Sequence, residues 1–232
     1  MKENPLITVI TPTTGKHSLY KLNASLERQS VPWVHILLWD DKREGDFLYP
    51  DPVSKKVREP LNIATNSGER YSIVIPGSFI KGKAAGSALR SIGLMAANTP
   101  YIMFADDDVW YEPDHFKTLL KAVEGKQWAF GVRKVWTEED EYLGEDHFES
   151  VGNGPERQVP YILVDNNTMI VSRRFGTSAS CLYRETEDYN DDRLMTEFLY
   201  KHAGQPGRAM EATVNQVCPK RLEGMFKKHC TK

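Results

Sequence analysis

Apolar positions fall into two alternating patterns along the chain, short runs that suit strands and 3.6-period stripes that suit helices. Leu6-Ile-Thr-Val-Ile10 predicts a strand, Ser18 to Gln29 a helix, and Val34-His-Ile-Leu-Leu-Trp39 a second strand. Strand, helix, strand at this spacing predicts a parallel pair joined by a right-handed crossover. Residues 42–70 hold Pro50, Pro52, Pro60 and many charges, and predict an irregular excursion. Tyr71 to Ile75 predicts a third strand, and Lys81 to Asn98 a helix that starts on the small residues Gly82, Ala84, Ala85 and Gly86. Such a start lets backbone or ligand approach closely. Tyr101 to Ala105 is an apolar run after the turn signal Asn98-Thr99-Pro100, and predicts a strand buried on both faces. Beyond it come a helix over 113–123, a strand over 128–132, a long acidic and Gly/Pro-rich loop over 137–160, and an apolar stretch over 161–171. Asp165-Asn-Asn-Thr168 interrupts that stretch, and such polar groups are expected to face a site or cap a helix. A last helix runs from Arg193 to Ala203, stopped by Gly204 and Pro206.

Strands alternating with helices predict an α/β fold: a mostly parallel, Rossmann-like sheet flanked by helices. The 232 residues suit one domain, with 1–120 as its ligand-binding half, 121–210 as a second half and 211–232 as a tail.

Charge narrows the function. At −2 net, the chain lacks the basic balance of a nucleic-acid partner. No run is apolar for long enough to span a bilayer, and the N-terminus has no apolar signal segment. Cys181, Cys218 and Cys230 lack metal-type spacing, which suits reduced thiols in a cytoplasm. The six histidines are scattered, and each is expected to be a plain surface or packed residue. The basic tail from Lys220 is expected to be a solvated end, or at most a peripheral contact with anionic headgroups.

Two acidic constellations carry the candidate chemistry. Asp106-Asp107-Asp108 sits where the Tyr101 strand ends, the edge where open α/β sheets bind ligands. Adjacent carboxylates repel and are costly to desolvate, so a cation or strong donors belong there, and Mg²⁺ or Mn²⁺ suits hard oxygen ligands. The plainer alternative is a solvated turn with Asp108 capping the next helix. Glu185-Thr-Glu-Asp-Tyr-Asn-Asp-Asp192 leads into the last helix, placing Asp191 and Asp192 at a helix N-terminus that favours negative charge. Ordinary capping is the alternative there.

The order of these features resembles glycosyltransferase family 2, the inverting enzymes of GT-A fold. The matching pieces are Thr11-Pro-Thr-Thr14 after the first strand, Asp40-Asp41 after the second, Arg90-Ser-Ile-Gly-Leu94, the Tyr101–Asp108 stretch, Tyr111-Glu-Pro-Asp114 and the acidic pair before the last helix. The resemblance is dense over 6–120, looser over 160–204 and absent beyond. It implies that Asp41 reads the nucleotide base, taken to be uracil, with Thr11, Pro12 and Thr13 lining the same pocket. Arg90 becomes the arginine of the nucleotide-contacting helix. The acidic triplet becomes a DxD-type motif: Asp108 is the main ligand of Mn²⁺ or Mg²⁺, with Asp106 and Asp107 on metal or ribose. Asp192 becomes the general base with Asp191 beside it, Asp188 being the other candidate. The usual Ala-Arg-Asn is Leu89-Arg90-Ser91 here, Trp39 precedes Asp40, and Arg193-Leu-Met follows the acidic pair.

The implied activity moves a sugar from a nucleotide-sugar donor, UDP-linked, to a hydroxyl on a glycan, glycolipid or other acceptor. Two other readings stand beside it. One is a non-catalytic nucleotide-sugar-binding module. The other is a nucleotidyltransferase, which wants a glycine- and lysine-rich phosphate loop that Thr11-Pro-Thr-Thr-Gly-Lys16 poorly supplies.

Overall fold

The computed structural model describes residues 4–13, 15–16, 18–41, 63–64, 68–76, 86–147, 151, 163–183 and 191–231, with backbone alone at 40–41, 63–64 and 68–76. In chain order the strands are β1 (Ile7–Thr13), β2 (Trp33–Asp41), β3 (Ile63–Ala64), β4 (Gly68–Pro76), β5 (Tyr101–Phe104), β6 (Val109–Tyr111), β7 (Trp128–Trp136), β8 (Tyr142–Asp146), β9 (Met169–Ser172) and β10 (Gly207–Val217). The helices are α1 (Leu19–Glu27), α2 (Ser87–Ala96), α3 (His115–Ala122), α4 (Arg173–Ser178), α5 (Asp191–His202) and α6 (Glu223–His229).

One sheet carries the described strands in the order β3-β4-β2-β1-β5-β9-β7-β10-β6, with β8 pairing β7. Strands β4, β2, β1 and β5 are mutually parallel. Antiparallel β9 then separates them from β7 and β10, which run parallel to each other, and β6 runs antiparallel to β10. The mostly parallel sheet is therefore a mixed one, parallel from β4 through β2 and β1 to β5, with β3 antiparallel at the edge.

Strand β1 shows how sequence sets this frame. It continues three residues into the expected Thr11–Gly15 turn, with Thr13 opposite Trp39. Pro12 is tolerated because β5 pairs β1 only through Ile10. The Ile10 carbonyl accepts from Ala105 N–H at 3.0 Å, so residue 12 also points toward that side, beyond the ladder, where a missing N–H breaks nothing.

The core forms two layers. Ile10, Leu38, Leu94, Phe104, Trp128 and Leu199 pack on one face. On the other, Ile7, Val9, Leu22, Leu26, Phe116 and Leu119 pack beneath α1 and α3. Buried side chains of this size each contribute about 1.5–3 kcal/mol. Gly93 lets α2 lie close on β1, since a Cβ there would collide with the Ile10 side chain.

Part of the expected 137–160 loop is structured, because β8 pairs β7 as a hairpin. Thr137 Oγ1 closes its turn by accepting from the N–H groups of Glu139 (3.2 Å) and Glu141 (3.1 Å). Strand β10 was not anticipated at all. The tail is not simply solvated either: Phe226 of α6 is buried with Val135, Leu143 and Cys218. Arg133 lies 5.2 Å from the centre of the Phe226 ring.

Candidate active site

Because β1, β2 and β5 run parallel, Thr13, Asp41 and Asp106 end at one edge of the sheet. The three triplet carboxylates have different partners there. Asp106 receives the Arg90 guanidinium on Oδ1. The Asn167 amide donates to its Oδ2 at 3.1 Å, and its own N–H donates to Asn167 Oδ1 at 2.7 Å. Burial alone would raise the Asp106 pKa, but Arg90 and Asn167 outweigh it and hold the carboxyl below its ordinary value. Asp107 accepts from Thr13 Oγ1 at 2.7 Å and pairs with Lys16 at 2.9 Å. Asp108 pairs with Lys16 at the longer distance of 3.6 Å. Its pKa is pushed up to about 6, first by burial and then by the neighbouring Asp106 charge.

The second cluster opens α5. Asp191 and Asp192 occupy its first turn, while Lys201 and His202 close its last, an arrangement matched to the helix dipole. Asp191 is buried, accepts from Ser87 Oγ and leaves Oδ1 with no partner among the described residues. Asp192 accepts from the Asn166 amide at 2.6 Å. Burial pushes its pKa up to about 7, helped by the Asp165, Asp106 and Asp191 charges and opposed by Arg90.

Two ties join these clusters. The first is the start of α2, where Ser87 bonds Asp191 and Arg90, one turn later, bonds Asp106. Burial disfavours the Arg90 charge, but Asp106 and Asp192 hold its pKa above the usual arginine value. Gly86 makes room for this: an added Cβ would lie 2.9 Å from Arg90 Nη1 and 3.3 Å from Pro12 Cγ. At Gly86 the close approach expected of the small-residue helix start is made by Arg90 and Pro12, while Gly82, Ala84 and Ala85 lie outside the described residues.

The second tie is a single 3₁₀ turn, Asn166–Thr168. Asp165 caps it, accepting from the Asn167 N–H at 2.8 Å. Arg133 grips Asp165 from below, and also pairs with Asp146 at 2.9 Å and donates to Gln216 at 2.7 Å. Asn166 then reaches Asp192, and Asn167 reaches Asp106. Both outcomes expected of the polar interruption occur, since it caps a turn and faces the site.

The other candidates divide. Thr13 joins the triplet, and Pro12 packs at the start of α2. Thr11 is fully buried and bonds His35 at 2.9 Å. Asp41 closes β2, but its side chain lies outside the described residues, as does the whole of Asp188. Sequence reasoning missed Ser87, Lys16 and the buried Tyr183, whose hydroxyl accepts from Asn166 at 3.0 Å. Nothing in the local pattern marks a lone Ser, Lys or Tyr. The basic residue beside Gly15 was noted only as a weak phosphate-loop feature.

Among the described residues no three His, Cys, Asp or Glu side chains form a metal-binding group. A Mg²⁺ or Mn²⁺ ion that shares its shell with waters and substrate phosphates needs only one or two carboxylates. Asp108, poorly compensated by protein cations and raised toward neutrality, fits that donor set.

Residues 78–184 match the model of glycosyl transferase family 2. Over those residues, just under half of its length, the chain is similar to that family. No curated protein matches the chain. Among solved structures, S. aureus TarS 1-349 is 16% identical, with a TM-score of 0.64 over 95% of this chain. The same TarS fragment in complex with UDP-GlcNAc gives a TM-score of 0.62 at 16% identity, covering 93% of this chain and 59% of that one. Its UDP complex gives 0.62 at 16% identity over 95% of this chain and 65% of that one. The chain spans 65% of the length of the first TarS structure. At this identity the likeness establishes the fold, which is GT-A-like, as the sequence predicts. No helix among the described residues is long and apolar enough to cross a membrane.

Proposed function

We propose that this protein transfers a sugar from a nucleotide-sugar donor, UDP-linked, to an acceptor hydroxyl with inversion at the anomeric carbon. One observation carries the reading: the start of α2 and the Asn166–Asn167 turn bring a triplet at a strand end and an acidic pair at a helix start into one site. The family match over 78–184 and the UDP and UDP-GlcNAc complexes of the similar TarS fold support the donor class.

An acceptor alcohol is a poor nucleophile. Asp192 takes its proton as oxygen attacks, and a carboxyl raised to about 7 is well matched to that task near neutrality. The new bond forms from the face opposite the nucleotide. The old bond breaks with its electrons going to the diphosphate. Arg90 fixes Asp106, and Thr13 with Lys16 fixes Asp107, so these two carboxylates are ordered before donor arrives. Asp108, with Asp106 beside it, would hold Mn²⁺ or Mg²⁺. When bound, that ion supplies Lewis-acid neutralisation of the leaving diphosphate. Asp41 is assigned to the base and Pro12 and Thr13 to the pocket wall; Thr11 acts there only through the strand it stiffens. The acceptor is a glycan, glycolipid or other hydroxyl compound, and the protein works in the cytoplasm.

The test is incubation with a panel of UDP-sugars and Mn²⁺, following UDP release and, by NMR, the anomeric configuration of the product. Release with an inverted product supports the assignment. Tight UDP binding without release from any donor overturns it in favour of a binding module.

A further inference from the structure

Resting on that reading, we infer that two neighbouring asparagines divide the labour of positioning: Asn167 orders the donor-side carboxylate Asp106 and Asn166 orders the base.

The two side chains leave one turn in different directions. Asn167 makes two reciprocal bonds to Asp106, one from its amide to Oδ2 at 3.1 Å and one from the Asp106 N–H to its carbonyl at 2.7 Å. This closes a ring that fixes both the backbone and the carboxyl at the first position of the triplet. Asn166 spends its amide donors on Asp192, at 2.6 Å, and on Tyr183, at 3.0 Å. Both bonds leave from the one nitrogen, so the buried Tyr183 hydroxyl orients the amide and the amide orients the base. A flipped amide would turn its carbonyl toward the Asp192 carboxylate, which is repulsive once that group is ionised. Asn166 Oδ1 has no partner among the described residues. A buried acceptor left unpaired is a cost that packing alone does not require. Both bonds that Asn166 does make are made by its donor nitrogen.

The turn itself is rigid. Asp165 caps it, Thr168 Oγ1 donates back to the Asp165 carbonyl at 2.9 Å, and buried Arg133 pairs with Asp165. A rigid mount with two outward donors sets the distance between donor side and base, which in-line attack demands to within a fraction of an ångström. Neither asparagine is a catalytic residue; each acts through the carboxylate it holds.

The test combines two readouts. Calorimetry measures UDP affinity with and without Mn²⁺, and turnover is followed with the UDP-sugar that gives the fastest UDP release. Supporting-ligand changes at metal and catalytic sites generally cost about 10–100-fold, which sets the scale. Asn167→Ala should weaken Mn²⁺-dependent UDP binding about tenfold or more, with kcat at saturating donor changed far less. Asn166→Ala should lower kcat about tenfold or more with UDP affinity unchanged. Tyr183→Phe, a milder change, should lower kcat in the same direction by less. Thermal melting identifies any variant that has lost its fold, in which case Tyr183→Phe carries the base half alone. Equal losses of affinity and kcat in both asparagine variants would overturn the division. So would a Tyr183→Phe protein with unchanged kcat. A wild-type protein that releases UDP from no donor would sink the transfer reading and the Asn166 half together. Loss of Mn²⁺-dependent UDP binding in Asn167→Ala would still uphold the Asn167 half.

Discussion

Asp106 and Asp192 sit in one site yet hold their protons oppositely. Burial disfavours charge on both. Asp106 has Arg90 and the Asn167 amide directly on its oxygens, and its pKa falls below the ordinary value. Asp192 has one amide, three carboxylates around it and Arg90 only at longer range, and rises to about 7. The contrast separates scaffolding from chemistry. A carboxylate that the protein has already compensated is a fixture. One left under-compensated is waiting for a proton or a cation.

The sharpest way to break the comparison is to neutralise one member. Asp192→Asn should lower turnover by about 10²–10⁴-fold while UDP binding stays near normal, measured by steady-state kinetics beside calorimetry. A matching loss of UDP binding would make Asp192 a ligand or a structural residue. Asp108→Asn should weaken Mn²⁺-dependent UDP affinity about 10–100-fold and leave metal-free binding alone.

The pH profile comes next. Turnover at saturating donor should rise about tenfold per pH unit up to about 7, the Asp192 value, then level off. Asp192→Asn should flatten that limb in its residual activity. Stability carries the opposite sign. The raised folded-state pKa means that the native protein binds this proton more tightly than the unfolded chain. The stability it contributes is complete below the ordinary carboxyl range and is lost as pH climbs through about 7. Asp192→Asn should therefore raise the Tm more at pH 8 than at pH 5. The smallest effect belongs to an exposed pair, Lys21 with Asp140 at 2.9 Å. Lys21→Ala should change stability by less than about 1 kcal/mol, read by urea denaturation.

The parallel half of the fold was legible because buried strands announce themselves as apolar runs, and β1, β2 and β5 all do. Strand β10 escaped because Gly207-Arg-Ala-Met-Glu-Ala mixes small and charged residues. Its β structure comes from pairing with β7 and β6, which no local window records. The hairpin strand β8 hid for a similar reason, its five residues including Gly144, Glu145 and Asp146. In the site, the carboxylates were legible because clustered charge needs an explanation. Arg90 was read from its family-like neighbours and not from periodicity, which makes it an ordinary surface charge. Asn166 and Asn167 showed only as a polar break in an apolar stretch. Ser87 and Tyr183 gave no signal, since their importance lies in which distant residue folding sets against them, Asp191 and Asn166 respectively.

The aromatic ring of Phe226 roofs the guanidinium of Arg133, and Arg133 in turn holds the residue that caps the asparagine turn. The last helix of the described chain is thereby a keystone for a site whose residues all precede it in sequence, from Thr13 to Asp192. A cut just before it would take Phe226 from its buried cluster and uncover the guanidinium on which the asparagine turn is anchored.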